Sequence, residues 1–263
     1  IFHPDINYEK TLYIKNAWAK QPNQCINYVS MHSNLCLFDK IAETADSLDL
    51  TTKIKMAKMA NAIVLTSQGI PFIFAGEEML RTKNGDDNSY KSPDFINQLI
   101  WHSKYDHIDL FEYYRGLIKL RKEHPAFRMN SQKMIEEYLN FLPQTVTNTV
   151  SYHIGNSANG DAYADIVVIF NANISEVKFK LPHFGVWNLI VNGDKAGTEI
   201  LRKFTSSEIV VPELTTYILY SNEKLVSEVT ILEKNKPNYR KYVGYTLGAL
   251  GIMMWLRRRK KRK

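Results

Sequence analysis

The chain has little cysteine, two residues in 263, and that scarcity excludes a disulfide framework. Cys25 and Cys36 have no histidine or further cysteine grouped with them, so a structural zinc site and any other metal centre are excluded as well, and no cofactor motif is present. Long apolar runs are also scarce, and the start of the chain has neither a basic leader nor an apolar core of the kind a secretory signal needs. Because the chain opens on Ile1 rather than Met, it reads as cut from something longer. A broad basic face is missing too. The formal charge is +7, yet Arg257 to Lys263 are seven consecutive Lys or Arg, and the residues before them sum to zero. The charge belongs to a tail, and a nucleic-acid partner is not expected. What is there is substantial: 44% hydrophobic and 12% aromatic residues, enough for a sizeable core in one large domain or two modest ones.

Along the chain the first grammar is β/α. Ile26 to His32 has the β-branched and aromatic content of a short buried strand, and Ile54 to Thr66 places Ile54, Ala57, Met59, Ala60, Ile63 and Val64 at helical spacing. After Gly69 the continuous apolar run Ile70 to Gly76 reads as a strand buried on both faces. Thr82 to Pro93 is turn chemistry throughout, and Leu110 to Glu123 returns to helix with Phe111, Tyr114, Leu117 and Ile118 on one side, ended by Pro125. Two consecutive β/α units imply a parallel sheet, and two strands cannot close one, so most of that sheet is absent. Its two strand edges and apolar face lack cover, which predicts aggregation of residues 1–130 taken alone.

Beyond about Ser131 the grammar changes. Thr149–His153, Ala164–Asn171, Val177–Leu181, Val186–Asn192, Glu208–Val211 and Thr215–Ser221 read as short strands separated by turns such as Asn159-Gly160-Asp161 and by Pro182 and Pro212. They predict an antiparallel β-sandwich over 131–224. A linker, 225–241, leads to the apolar stretch Tyr242 to Leu256 and the basic run. Fifteen apolar residues fall short of the roughly 20 that span a bilayer. Snorkelling of Arg257 and Arg258 extends them, and Gly244, Gly248 and Gly251 leave no polar helix face, so 242–263 is expected to contact a membrane or act as a sorting tail, with a cell-surface location if it inserts.

In β/α folds reactive side chains collect at the carboxyl ends of strands, which here points to His32-Ser33-Asn34 and to Glu77-Glu78 with the loop behind them. Glu77 and Glu78 fail as a catalytic carboxylate pair, because neighbours on a strand point to opposite faces. One of them reads instead as a buried, hydrogen-bonded support at the rim. The same divergence argues against a nucleophilic Ser33/His32 pair, for which no third orienting group is evident.

The residues then become recognisable. Ile26 to Lys40, through His32-Ser33-Asn34 and Leu37-Phe38-Asp39-Lys40, resembles strand seven and its loop in type I pullulanases of the α-amylase superfamily. Thr66 to Lys83, followed by Asn88-Ser89-Tyr90 and Ser92-Pro93-Asp94, is similar to strand eight and the loop after it, and Leu117 to Phe127 to the eighth helix. The resemblance implies an α/β plus all-β chain: the carboxyl-terminal part of a (β/α)8 barrel over 1–130, then the β-sandwich that follows the barrel in this superfamily. It implies part of an enzyme that hydrolyses α-1,6-glucosidic links in pullulan, amylopectin or glycogen with retention.

Two departures follow. The family's nucleophilic Asp and acid Glu lie on strands four and five, outside this chain, so the chain alone is expected to be inactive. In addition, Ser33 occupies the position of the family's transition-state-stabilising Asp, where a neutral hydroxyl forgoes several kcal/mol of electrostatic stabilisation. His32 corresponds to the family's sugar-binding histidine, and Asn34 stands beside it. The resemblance also puts the loop after strand eight at the substrate cleft, where Arg81, Asp87, Asn88 and Tyr90 offer a cation, acceptors and an aromatic face for sugar. The competing expectation is a degenerate, non-catalytic α-glucan-binding surface protein, marked by Ser33.

Overall fold

The structure is a computed structural model that describes residues 1–224 except Leu12, Ile14 and Gln144. The linker and the apolar, basic tail expected over 225–263 lie outside the described residues. Among the described residues no helix is long and apolar enough to cross a membrane.

Strand β1 (Ile26–Asn27) leads to helix α1 (Leu37–Thr44), which the sequence reading missed, and then to α2 (Leu50–Thr66). The Asp49 side chain caps α2 by accepting from the Thr52 amide at 2.8 Å, satisfying one of the free amides of the first turn. Strand β2 (Ile70–Pro71) returns parallel to β1, Ile26 opposite Ile70. Gly69 makes the turn possible: its φ is +110°, and a Cβ there would sit 2.9 Å from the Cys25 carbonyl oxygen. The parallel pairing is as expected, but both strands are far shorter than the runs 26–32 and 70–76. Among the described residues each has a strand neighbour on one side only, and the ladder ends after the Phe72 amide donates to the Asn27 carbonyl at 2.8 Å.

The single-turn helices α3 (Asp94–Asn97) and α4 (Ser103–Asp106) precede α5 (Ile108–Glu123). The buried face of α5 is Leu110, Tyr113, Tyr114, Leu117 and Leu120, rotated from the expected stripe. Ile118 is exposed and Phe111 lies under the Lys104 ammonium. Arg121 ties α5 to the end of α2: its guanidinium donates to the carbonyls of Leu65, Ser67 and Gly69 at 2.7–2.9 Å. The Leu65 carbonyl, in the last turn of α2, is one that a helix end leaves without a partner. Burial lowers the Arg121 pKa to about 10.

After α6 (Gln132–Tyr138) come β3 (Leu139–Phe141), β4 (Thr149–Ile154), β5 (Asp165–Asn171), β6 (Val177–Val191), β7 (Arg202–Val211) and β8 (Thr215–Lys224). They form one antiparallel sheet in the order β3-β4-β5-β8-β6-β7. The expected two-sheet sandwich is therefore one continuous sheet. The segments 177–181 and 186–192, read as two strands, are a single strand whose register shifts between Lys180 and Gly185. Pro182, taken as a separator, lies inside that irregularity, where a missing amide costs no ladder bond.

Alternation along β5 sends side chains to two cores. Ile166, Val168 and Phe170 join Met59, Leu65, Leu117 and Leu120 from the helices. Val167 and Ile169 join Phe179, Trp187, Ile209 and Val211 of β6 and β7. The helices and one sheet face thus share a core within the compact unit Ile1–Leu225. The open edge of β3 is covered by the amino-terminal segment, where His3 Nε2 bonds the Leu139 carbonyl at 2.8 Å and Asp5 accepts from the Phe141 amide at 2.9 Å. The parallel pair is not covered in this way, and Ile26, Tyr28, Ile70 and Phe72 are exposed.

Candidate functional site: the loops after the parallel strands

The segments that follow β1 and β2 meet. Asn34 adopts a left-handed conformation at φ +71°, tolerable for asparagine because its Oδ1 accepts locally, here from the Leu35 amide at 2.8 Å. In that conformation the Asn34 amide donates to the Asp87 carbonyl at 2.9 Å, joining the two loops. Asn88 is held next to this bridge: its amide donates to Asp86 at 2.9 Å. The Ser92 hydroxyl also donates to Asp86, and these bonds, the Ser92 one foremost, hold the Asp86 carboxyl below the usual range. The Asn97 side chain closes the loop by donating to the carbonyls of Ser89 and Ser92 at 2.7 and 3.0 Å. Tyr90 projects from it, three-quarters exposed at 74%, with the Lys91 ammonium 5.2 Å from its ring centre.

His32 and Ser33 differ from the sequence expectation. They lie in a bend rather than on a strand, so their side chains do not diverge, and Ser33 Oγ and His32 Nδ1 are 2.9 Å apart on the exposed rim. No group among the described residues bonds His32 Nε2. The pair can bind a hydroxyl, but it has no orienting third member for nucleophilic chemistry.

Glu77 is the buried support and Glu78 is not. Both lie in a 3-10 turn, Glu77–Met79. Glu77 accepts from the Ser30 hydroxyl and from Asn61 Nδ2 at 2.9 Å, and Asn61 Nδ2 also bonds the Tyr114 hydroxyl at 2.6 Å. Burial raises the Glu77 pKa against the pull of those two bonds. Glu78 turns back to accept from the Gly76 amide at 3.0 Å.

Arg81 is placed apart from the bridge. Its guanidinium donates to the carbonyls of Ala75 and Asn97 at 2.9 and 2.6 Å and lies over the Phe74 ring, so its bonds shape the loop rather than reach outward. The structure therefore brings Asn34 together with Asp87, and His32 with Ser33. Asn88 and Tyr90 ride on the same loop as Asp87, and Arg81 is engaged with backbone.

Sequence reasoning missed the group that ties the loops from below. Asp39, in the first turn of α1, is buried and accepts from the Lys83 amide at 2.7 Å, the Thr82 hydroxyl at 2.5 Å and Cys36 Sγ at 3.0 Å. The Lys83 ammonium, also buried, donates to the Ser89 hydroxyl at 2.6 Å. A polar Asp in the first turn of a helix following a cysteine was the only available signal, and it is also what an ordinary helix start looks like. Among the described residues no group of three or more His, Cys, Asp or Glu could hold a metal ion. A cavity of about 750 Å³ lies elsewhere, between the amino-terminal segment, α2 and β3–β4, and is mainly apolar.

Comparison with known proteins gives one consistent answer. The pullulanase all-β domain family matches residues 135–195, within α6 to the turn after β6. The pullulanase of Bacillus subtilis strain 168 is 35% identical over 207 residues, covering 79% of this chain and 28% of that protein. The structure of the pullulanase from Bacillus acidopullulyticus superposes with a TM-score of 0.74 at 41% identity, over 77% of this chain and 25% of that one. That from Paenibacillus barengoltzii, solved in complex with maltohexaose and α-cyclodextrin, gives a TM-score of 0.73 at 36% identity, over 82% and 32%. The chain spans between a quarter and a third of the length of these relatives.

Proposed function

Taking as premise that this chain is a relative of the type I pullulanases, matched to part of their length, we propose that it supplies one wall of an α-glucan-binding cleft in a debranching glycoside hydrolase. The observation that carries the reading is the Asn34–Asp87 bridge at 2.9 Å. It places the residues that resemble the family's sugar-binding loop next to a second loop rich in the acceptors and exposed aromatic surface that sugars bind. The relatives' complexes with maltose and maltohexaose support an α-glucan as the ligand, with α-1,6 links in pullulan, amylopectin or glycogen as the bonds cleaved by the whole enzyme.

In this proposal residues 1–130 are the last part of a (β/α)8 barrel and 131–224 the all-β domain behind it. His32, Ser33, Asn34, Asp87, Asn88 and Tyr90 contact the glucan, and Arg81 shapes their loop. Retaining hydrolysis needs a carboxylate nucleophile and a carboxylic acid about 5–5.5 Å apart across the scissile bond. Among the described residues the two rim glutamates do not form such a pair: Glu77 is buried and Glu78 is bound to its own turn. The chain alone is accordingly inactive, and the chemistry belongs to a larger polypeptide.

A second reading, a glucan-binding protein without catalysis, is favoured by one observation. Ser33, at the position of the family's stabilising carboxylate, spends its hydroxyl on His32 and brings no charge to a developing oxocarbenium ion. The test measures pullulan hydrolysis by the intact native polypeptide and by its Ser33→Asp variant. Activity that rises with Ser33→Asp supports the enzyme reading and the assignment of Ser33. Activity untouched by the change contradicts that assignment, and a native polypeptide that binds maltotetraose without hydrolysing pullulan supports the second reading.

A further inference from the structure

Resting on the glucan-cleft reading, we infer that Asp39 is the positioning residue of the site, a buried carboxylate that locks the loop carrying His32, Ser33 and Asn34 to the loop carrying Asp87, Asn88 and Tyr90. The rim itself holds the two loops together by a single backbone bond, Asn34 to Asp87, and both partners are solvent-exposed. A bond open to water contributes little rigidity. Beneath it the arrangement is different. One oxygen of Asp39 takes the Lys83 amide and the Cys36 thiol, and the other takes the Thr82 hydroxyl. Cys36 closes the first loop, and Thr82 and Lys83 open the second.

A buried carboxylate must have its lone pairs occupied, and here the donors come from both loops. The carboxylate is satisfied only when the loops are in register. Cys36 reinforces the arrangement. Its Sγ also lies 3.1 Å from the Arg81 carbonyl, and burial pushes its pKa up to about 11, which keeps it a protonated donor at neutral pH. Lys83 carries the constraint outward. Its backbone is fixed by Asp39, its ammonium passes over the Phe74 ring at 5.3 Å, and it ends on the hydroxyl of Ser89, the residue before Tyr90. Asp39, Cys36, Lys83 and Ser89 are all buried, so Asp39 acts through others and touches no ligand.

The experiment compares the 263-residue chain with Asp39→Asn, Thr82→Val and Ser89→Ala, using hydrogen exchange of the segments 31–37 and 81–92 and titration with maltotetraose. Asp39→Asn keeps the shape but presents an amide donor to another donor. The expected result is faster exchange in both segments together, unchanged exchange in β4–β8, and maltotetraose affinity lowered about tenfold. Thr82→Val serves if Asp39→Asn does not fold, and it should give the same paired effect at smaller size. Ser89→Ala should loosen 81–92 and leave 31–37 protected. Wild-type binding with Asp39→Asn or Thr82→Val showing unchanged exchange and affinity would overturn the inference. If the wild-type chain does not bind maltotetraose, the glucan reading fails. The exchange result then decides the inference alone: paired loosening upholds the lock, and independent or absent loosening removes it.

Discussion

The parallel pair β1–β2 and the antiparallel sheet both carry β-branched apolar residues, which end in opposite states. Val167, Val168 and Ile169 of β5 are 0% exposed, whereas Ile26 and Ile70 of the parallel pair are 60% and 46% exposed. Both faces of the sheet are covered: Phe179 and Trp187 of β6 share a core with Val167 and Ile169 on one side, and the helices pack on the other. A parallel pair cannot do this. Parallel strands need crossover helices and further strands on both edges, and the described residues supply one crossover.

The largest expected contrast is in core deletions. Trp187→Ala, at a fully buried position, should cost about 4 kcal/mol, while Phe72→Ala in the parallel pair should cost less than about 1 kcal/mol. Urea unfolding of both variants checks this, and similar losses would mean that the pair is as well packed as the sheet. Next comes the seam between the regions. A Cβ on Gly116 of α5 would lie 2.0 Å from the Ala196 carbonyl oxygen, in the turn where the Lys58 ammonium donates to the Gly193 carbonyl at 3.2 Å. Gly116→Ala should destabilise the chain by about 2–3 kcal/mol.

A smaller contrast lies in two of the buried carboxyl groups, Asp161 and Glu77, whose pH signs are opposite. In the all-β region burial pushes Asp161 up, but His124 and the Tyr163 and Ala126 amides outweigh it and leave the carboxyl below its usual value. Its stabilisation is present above about pH 4 and lost as pH falls through the folded value. Glu77 below the rim is raised by burial. The folded state holds that proton more tightly than the unfolded one, so its contribution is largest at acid pH and is lost as pH rises through the folded value. Raising the pH from about 4 to 7 should therefore move Glu77→Gln toward greater stability relative to the wild type and Asp161→Asn toward lower. Denaturant midpoints across pH that moved the same way for both variants would break the contrast. The smallest effect belongs to Ile70→Ser: stability within about 0.5 kcal/mol of the wild type, with less aggregation in light scattering because an exposed apolar edge is removed.

The sequence revealed elements whose signal is local. Helices α2 and α5 were legible from apolar spacing and from Pro125, and β4, β5 and β8 from alternation between turn residues. What it hid depends on contacts made at a distance. The stripe of α5 was misplaced because Phe111 is covered by Lys104 and Ile118 faces outward, neither of which periodicity shows. Continuous β6 was split because Pro182 usually interrupts a strand, and only the neighbouring strands reveal the register shift that accommodates it. At the rim, His32 and Ser33 were singled out by position, yet their mutual bond depends on a bend the strand reading did not contain. Asp39 was invisible as a support because two of its three donors, Thr82 and Lys83, lie more than forty residues away.

The most direct test of the account is a titration of the isotope-labelled chain with maltotetraose, followed residue by residue by NMR. The account predicts shifts in His32, Ser33 and Asn34 together with Asp87, Asn88 and Tyr90, and none along β4–β8. Shifts confined to the apolar cavity or to the sheet, or none at millimolar sugar, would contradict the assignment of these two loops as a glucan-binding wall.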